Sequence, residues 1–240
     1  MSFTYRHTTA ASYIGYIVQA AVNNLPPLLF VIFRNQFGIS MEAITLLISI
    51  NFIIQMIVDV LATKFLGRIG CKRAAVAAHF FGCVGLAGMG ILPFILPPYA
   101  GLCISVILSA IGGGLIEVVV SPIVDSLPGE KKAASMSLLH SFYCWGQMAV
   151  VLITTALLSA GLAWRWLPLL WAAIPLANAF FFMLVPINMP VEEKHASVLR
   201  VLKDKGIYLF IILMFCAGAA ELAISQWASP VSYTHLTLPT

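Results

Sequence analysis

Charged residues are scarce in this chain of 240 residues. Asp, Glu, Lys and Arg together make up only 9% of the sequence, whereas about a quarter is typical of soluble globular domains. Apolar residues account for 61%, and the mean hydropathy is +0.98. A composition this apolar excludes a soluble domain, so the lipid bilayer is the environment that the sequence favours.

The motifs of several kinds of site are also lacking. The sequence has no nucleotide-binding loop, no HExxH motif, no nucleophile–base pair and no paired aspartates of protease type. We therefore expect no enzyme activity, no cofactor and no primary pumping. The cysteines show no paired spacing and no histidine neighbours of metal-ligand type, so we expect neither disulfides nor a metal site. These cysteines are Cys71, Cys83, Cys103, Cys144 and Cys216.

The sequence does contain long apolar runs. Each is close to the 20 residues that a helix needs to cross a hydrocarbon core of about 30 Å. No series of segments alternates with the two-residue period of a membrane barrel, so the predicted fold class is all-α, a polytopic membrane helical bundle. The seven predicted helices are Thr8 to Phe33, Met41 to Ala62, Ala74 to Leu96, Tyr99 to Val124, Ala134 to Ala160, Trp166 to Ile187 and Ile207 to Ala228.

Basic residues are distributed unevenly between the two ends of the predicted helices. If the N-terminus is cytoplasmic, eleven of the thirteen Lys and Arg residues lie on the cytoplasmic side, and only Arg34 and Arg165 lie outside. Cytoplasmic loops of membrane proteins carry this excess. We therefore predict a multi-pass protein of the cell (inner) membrane with a cytoplasmic N-terminus. The net charge of +4 then needs no nucleic-acid partner.

One predicted connection is longer and more polar than the others. Residues 188–206, which contain "NMPVEEKHASVLRVLKDK", form a cytoplasmic loop between a six-helix transmembrane half, residues 1–187, and the seventh helix at 207–229. Residues 230–240, "PVSYTHLTLPT", contain two prolines and three threonines and break the apolar pattern. We interpret them as a non-native tail.

Six helices, a long charged loop and a further helix resemble the Major Facilitator Superfamily, whose transporters have two six-helix halves joined by such a loop, each half built from 3+3 inverted repeats. The resemblance implies that this chain is the N-terminal half of a longer protein plus one helix. The segment "GRIGCKR", Gly67 to Arg73, resembles the cytoplasmic gate signature of that superfamily. Gly67 stands where the signature has an Asp, and Asp59, two turns earlier, is a candidate substitute for that acid. The matching positions are Arg68, Gly70, Lys72 and Arg73.

Four further segments resemble the branch of the superfamily related to fucose permease, a group of sugar:proton symporters. The resemblance implies a secondary transporter that takes up a sugar or sugar-like solute together with protons by alternating access, and that is monomeric when full length. Two alternatives stay open: a proton-driven efflux carrier for amphiphilic compounds, and a non-transporting membrane fragment or scaffold. The segments are "NNLPPLLF" (Asn23 to Phe30), "GGGLIE" (Gly112 to Glu117), "LLHSFYCWGQ" (Leu138 to Gln147) and "AELAISQWAS" (Ala220 to Ser229).

Intramembrane polar residues are concentrated in predicted helices 1, 2, 4, 5 and 7. Helices 3 and 6 carry only His79 and Asn178. Polar groups avoid lipid because their desolvation in hydrocarbon is costly, so this pattern agrees with the superfamily's use of helices 3 and 6 as outer supports and of the others as cavity walls. The candidate residues for binding substrate or protons are Asn23, Asn24, Asn51, Gln55, Glu117, Ser121, His140, Tyr143, Gln147 and Glu221.

Glu117 is the most specific of these candidates. It shares one helix face with Ser121 and Asp125, because positions four residues apart lie on the same face. A carboxyl group inside a membrane is costly and is usually retained for use, so Glu117 is expected to couple protons or bind substrate; a structural acid paired inside the bundle is the alternative. Asp125, ~12 Å further along the helix, is predicted to act with Asp59 at the cytoplasmic gate. Gly112 to Gly114 are expected to form a backbone pivot or to allow close approach of a substrate beside Glu117.

The other candidates admit both a functional and a structural interpretation. His140 relays protons or is only hydrogen-bonded within the bundle. Tyr143 and Gln147 form a platform for a sugar ring or pack against neighbouring helices. The two asparagines that precede Pro26 and Pro27 bind a polyhydroxylated ligand or satisfy a kink caused by the prolines.

Overall fold

A computed structural model describes residues 3–128, 132–187 and 205–236 of the chain. Within these ranges the regular structure is helical. The chain divides into two compact units, Met1–Met189 and Pro190–Thr240. The first contains a short 3-10 helix, Leu92–Phe94, and six long helices, and the described part of the second is α7, Lys205–Leu236. The six are α1 Tyr5–Phe37, α2 Met41–Ile69, α3 Cys71–Ile91, α4 Pro98–Ser126, α5 Lys132–Ser159 and α6 Trp166–Leu184.

Helices α1 to α6 are each long and apolar enough to cross a bilayer. The shortest of them, α6, has 19 residues, which corresponds to about 28 Å at 1.5 Å per residue. This confirms the predicted all-α membrane bundle. Helix α7 has 32 residues, but its described apolar part, Gly206–Glu221, is shorter than the other six spans.

The packing of the first unit has the pattern of a repeat. Helix α1 packs along α5 in the same way that α4 packs along α2, while α3 packs against α6 and α1 against α4. Exchanging helices 1 to 3 with helices 4 to 6 leaves these pairs of neighbours unchanged, as the 3+3 organisation requires. Helices α1 and α4, the first of each triplet, are the most buried.

Helices α2 and α5 leave the most surface uncovered. Only 17% of the apolar window in each is buried, compared with 44% in α3 and in α6. Within the first unit, therefore, α3 and α6 are packed more closely than α2 and α5, although their lack of polar residues predicts outer supports. The polar pattern does not reveal this because the uncovered residues of α2 and α5 are mostly apolar, such as Met56, Val60 and Leu152.

Helix α2 continues past its predicted end at Ala62, and one residue, Gly70, connects it to α3. Gly70 has φ 83° and ψ 139°, a conformation that residues with a side chain rarely adopt. Its N–H donates a hydrogen bond to the Leu66 carbonyl oxygen at 2.8 Å. The conformational freedom of glycine thus allows the chain to pass directly from one membrane helix to the next.

Two predicted segments lie partly outside the described residues. Of the loop predicted at 188–206, residues 188–204 are outside, and α7 begins at Lys205. Of the tail predicted at 230–240, residues 237–240 are outside, and α7 continues through Pro230 to Leu236. The apolar pattern suggests an earlier end because it stops at the proline, but a proline within a helix does not always terminate it. Helix α1 likewise continues through Pro26 and Pro27.

Candidate functional site

A cluster of polar side chains surrounds Glu117 where α1, α2, α4 and α5 meet. Helix α1 contributes two side chains, α2 one, α4 two and α5 one. Each is linked to at least one other member by a hydrogen bond, a ring contact or an electrostatic interaction. We call this set the Glu117 cluster, and its members are Tyr16, Gln19, Asp59, Glu117, Ser121 and His140.

Gln19 holds the carboxyl group of Glu117 from the inner side of the bundle. Its Nε2 atom donates to Oε2 of Glu117 at 3.0 Å, and its side chain is only 5% exposed. Glu117 itself is exposed. The carboxyl group is thus positioned by a buried amide on one side and is accessible to a ligand on the other. The second amide atom of Gln19, Oε1, is buried without a hydrogen-bond partner.

Tyr16 joins α1 to both α4 and α5. Its hydroxyl oxygen lies 2.6 Å from Oγ of Ser121, and either group can be the donor. Its ring meets the His140 ring edge-on, with the ring centres 5.3 Å apart. Tyr16 therefore brings His140, which is exposed, to the same part of the bundle as Ser121.

Asp59 is the second carboxyl group of the cluster. The side chain is half-buried, and its Oδ1 atom has no hydrogen-bond partner. Asp59 lies close enough to Glu117 for the two carboxyl groups to interact electrostatically. The charge of one acid therefore affects the other. This relation was not predicted, since the sequence suggests a role for Asp59 at the gate.

The two asparagines of α1 have different environments. Asn23 is half-buried, and its Oδ1 accepts a hydrogen bond from Nε2 of Gln55 at 3.0 Å. Asn24 is buried, and its Nδ2 donates to the carbonyl oxygen of Ala20 in its own helix at 2.9 Å. Asn23 and Gln55 thus connect α1 to α2, whereas Asn24 donates a hydrogen bond within its own helix.

The remaining candidate residues lie on α2, α5 and α7. Asn51 on α2 and both Tyr143 and Gln147 on α5 are half-buried. Glu221 is exposed on α7, in the second unit. Close packing of α5 on α1 occurs at Gly146, where an added Cβ would lie 3.0 Å from Cβ of Ala20 and from Cα of Ile17.

The residues predicted to form the gate fall into two groups. Arg68, Arg73 and Asp125 are exposed at the ends of their helices. Lys72, by contrast, donates from Nζ to the carbonyl oxygen of Val185 at 2.9 Å. Val185 is the residue at the C-terminal end of α6, where unpaired carbonyl groups carry a partial negative charge. Lys72 therefore stabilises the end of α6 within the same unit.

The three consecutive glycines before Glu117 allow α4 to approach its neighbours closely. A Cβ added to Gly112 would lie 2.8 Å from the carbonyl oxygen of Ala78 on α3, and one added to Gly114 would lie 3.2 Å from that of Gln55 on α2. Both distances are shorter than ordinary contacts of a Cβ atom. Close packing thus accounts for these two glycines, and the predicted pivot stays a prediction.

A second polar group is buried among α1, α3 and α6. His79 and Asn178 are 0% and 2% exposed, and Asn178 Nδ2 lies 2.9 Å from His79 Nε2 and 3.0 Å from the carbonyl oxygen of Ala11. His79 Nδ1 lies 2.7 Å from the Ala75 carbonyl oxygen. A carbonyl group only accepts, so Nδ1 carries the hydrogen and Nε2 accepts from Asn178. A neutral His79 with its hydrogen on Nδ1 can make both of its hydrogen bonds, to the Ala75 carbonyl oxygen and to Asn178.

Sequence reasoning missed two members of the Glu117 cluster and the buried pair. Tyr16, Gln19 and Asn23 follow the i, i+3, i+7 spacing of one helix face, and this signal is present in the sequence. No such signal exists for His79 and Asn178, because each is the single strongly polar residue of its predicted helix and they are 99 positions apart.

A model of the Major Facilitator Superfamily matches residues 12–239. The chain belongs to this superfamily. The superfamily is one of transport proteins, which agrees with the expectation from the sequence. A comparison with curated proteins found no match.

The fold is similar to that of a solved transporter structure. The chain is similar to a mutant of the peptide transporter POT in complex with sulfate, with a TM-score of 0.61 and 17% sequence identity. The match covers 92% of this chain and 45% of that one, so this chain spans less than half of the transporter that it resembles. At this level of identity the similarity concerns the fold.

Proposed function

We propose that this protein is a secondary active transporter that takes up a sugar or sugar-like solute together with protons by alternating access. The observation that carries the proposal is the position of Glu117, exposed on one side and held by Gln19 at 3.0 Å on the other. Membership of the superfamily supports transport. The four segments that resemble the fucose permease branch support a sugar as the solute and a proton as the driving ion.

The chemistry of the Glu117 cluster suits a ligand with several hydroxyl groups. The exposed carboxyl group of Glu117 can accept hydrogen bonds from sugar hydroxyls. Tyr16 and Ser121 can donate or accept, because either hydroxyl can reorient. A ligand that pairs these groups removes the cost of leaving them unpaired when water is excluded.

The presence of two acids in this cluster supports proton coupling. An ionised carboxyl group is costly to enclose away from water, and binding a proton removes that charge. Glu117 and Asp59 interact electrostatically, so a proton on one changes the charge that the other experiences. We propose that protonation of this pair and occupation by the solute together permit the change between outward and inward states.

The positions of the cluster residues also suit a transporter with repeats. Tyr16 and Gln19 lie on α1, and Glu117 and Ser121 lie on α4. These helices are the first of each triplet, and ligand sites of such transporters lie where repeats meet. We further propose that the end of the bundle with Arg68, Lys72 and Arg73 faces the cytoplasm of a cell (inner) membrane, where it would form the gate with Asp59 and Asp125.

Proton uptake into vesicles tests the proposal. The protein is reconstituted with a pH-sensitive dye inside, and sugars, polyols and dipeptides are added as separate probes. We expect a sugar or polyol to acidify the interior, and Glu117→Gln to reduce this flux by at least about 100-fold, in line with loss of a group used in proton transfer. Glu42→Gln is the matched control, because Glu42 is exposed in the first turn of α2 and outside the Glu117 cluster.

Three results would contradict the proposal. Full proton flux in Glu117→Gln would exclude Glu117 as the coupling group. A flux driven by dipeptides, the class that the POT transporter's name indicates, and not by sugars would exclude the sugar assignment. Export of amphiphilic compounds driven by an inward proton gradient, with no sugar uptake, would favour the efflux alternative.

A further inference from the structure

A groove of about 680 Å³ follows the outer side of α3, with one residue each from α4 and α6 beside it. Its walls are mainly apolar, and they include Phe81, Val84, Leu108 and Met183. The side chains of Phe81, Val84 and Met183 are exposed. None of its lining residues belongs to the Glu117 cluster. In a membrane helix, exposed apolar residues of this kind face lipid.

The length of the groove corresponds to one leaflet of a bilayer. The residues of α3 that line it extend from Lys72 to Val84. At 1.5 Å per residue this is about 18 Å, and half of a hydrocarbon core of 30 Å is about 15 Å. An extended acyl chain that begins at the membrane surface would therefore follow the groove to about the middle of the bilayer.

Positive charge is found at one end of this groove. Lys72 and Arg73 line it there, and Arg73 is exposed. Lys72 directs one N–H of its ammonium group to the Val185 carbonyl oxygen, and its other two donors are not used by that bond. The planar guanidinium group of Arg73 offers paired donors that match the oxygens of a phosphate. The charged end of the groove thus complements an anionic headgroup.

We propose that this groove is a binding site for an anionic diacyl phospholipid. The acyl chains lie along α3, and the headgroup phosphate pairs with Arg73 and Lys72. The apolar length and the cationic end are both required by this assignment, since a zwitterionic lipid with the same chains gains less from the charges. The site is on the α3 side of the bundle, away from the proposed solute site.

Lipid retention by the purified chain tests this site. The chain is incorporated into nanodiscs with equal amounts of phosphatidylglycerol and phosphatidylcholine that carry identical acyl chains, extracted, and weighed with its bound lipid by native mass spectrometry. We expect phosphatidylglycerol to be retained in preference. Arg73→Gln should reduce that preference about fivefold, the effect of one basic residue near the surface.

Two further variants separate the headgroup from the chains. Arg6→Gln removes the same charge from an exposed arginine that does not line the groove, and we expect it to keep the wild-type preference. Ala77→Phe fills the groove, and we expect it to lower retention of both lipids. The thermal unfolding of each variant in detergent is measured as well, so that only variants with wild-type stability are compared.

Several outcomes would overturn the assignment. Equal retention of the two lipids by the wild-type chain would exclude selection of an anionic headgroup. An equal loss in Arg6→Gln and Arg73→Gln would show that only net charge matters. Displacement of the bound lipid by millimolar inorganic phosphate would show that the cations bind a free anion and that the apolar groove is not needed.

Discussion

The Glu117 cluster and the His79–Asn178 pair lie in the same helical bundle but differ in exposure and in charge. Glu117 is exposed and carries a carboxyl group, with a second acid, Asp59, in electrostatic contact. His79 and Asn178 are buried, and the His79 ring packs against the Phe182 ring with their centres 4.9 Å apart. The buried pair contacts backbone carbonyls of α1 and α3 and has no charged neighbour among these partners.

The difference follows from the cost of removing each group from water. A neutral imidazole and an amide can be buried among helices when hydrogen bonds replace those with water. A carboxyl group keeps a much larger cost in its ionised form, so it remains where water or a ligand can reach it. Of these two polar groups, the exposed acid is thus the one that a ligand or water can reach, and the buried neutral pair connects helices.

The largest expected effect concerns the close packing of α3, the helix that carries His79, on α4. A Cβ at Gly85 would overlap the backbone nitrogen and Cα of Ser109, so Gly85→Ala forces the two helices apart. We expect it to lower the free energy of unfolding by about 3 kcal/mol or more, at the upper end for overpacked sites. Gly82→Ala is the control, because its Cβ would lie 3.7 Å from Val22. Thermal unfolding is measured for both variants. Equal stabilities of Gly85→Ala and Gly82→Ala would contradict the close contact between Gly85 and Ser109.

The second prediction separates stability from transport. His79→Leu removes the acceptor for Asn178 and should lower the free energy of unfolding by about 2 kcal/mol, the range for a buried partner left unsatisfied. Uptake per folded molecule should stay unchanged. His140→Leu should reduce uptake and leave the free energy of unfolding unchanged, because His140 is exposed beside Tyr16. Thermal unfolding and vesicle uptake are measured for both variants. Loss of uptake in His79→Leu at wild-type stability would assign a transport role to the buried pair.

A smaller effect is expected at the amide that holds Glu117. Gln19→Leu removes the hydrogen bond to Oε2 of Glu117, and a bond to a charged group contributes about 1.5 kcal/mol or more. We expect uptake to fall about tenfold at low solute concentration, with little change in thermal unfolding. The control is Gln36→Leu, which removes the acceptor of the Trp164 indole N–H outside the Glu117 cluster. Similar losses of uptake in the two variants would show that the hydrogen bond from Gln19 to Glu117 has no specific effect on uptake.

The smallest effect concerns the pair of hydroxyl groups. Tyr16→Phe removes the contact of 2.6 Å with Ser121 but keeps the aromatic ring beside His140. A neutral hydrogen bond contributes about 1 kcal/mol, so we expect roughly a fivefold loss of solute affinity. Ser121→Ala should have the same effect, and the double variant should not lose more than either single one. Tyr13→Phe, on the ring that stacks on Phe142, is the control. Additive losses would show that the two hydroxyls act separately.

The sequence determined the elements of this protein. Apolar runs of membrane length predict seven helices, because the hydrocarbon core requires each span to satisfy its own backbone. The described residues form a helix at each of the seven, and six of these helices are long and apolar enough to cross a bilayer. The i, i+4 spacing places Glu117 and Ser121 on one face of α4, and both contact residues of α1. Gly70 in the connection after α2 was also visible in the sequence, although its left-handed conformation was not.

Only the tertiary structure decided which polar groups meet. Gln19 and Glu117 are 98 positions apart, and Tyr16 and Ser121 are 105 apart. Such pairs depend on how α1 packs against α4, which periodicity within one helix does not specify. For the same reason the sequence suggested outer supports where α3 and α6 hold a buried histidine and asparagine. Helix packing in a membrane follows from shape and from paired polar groups, and both are properties of two surfaces in contact.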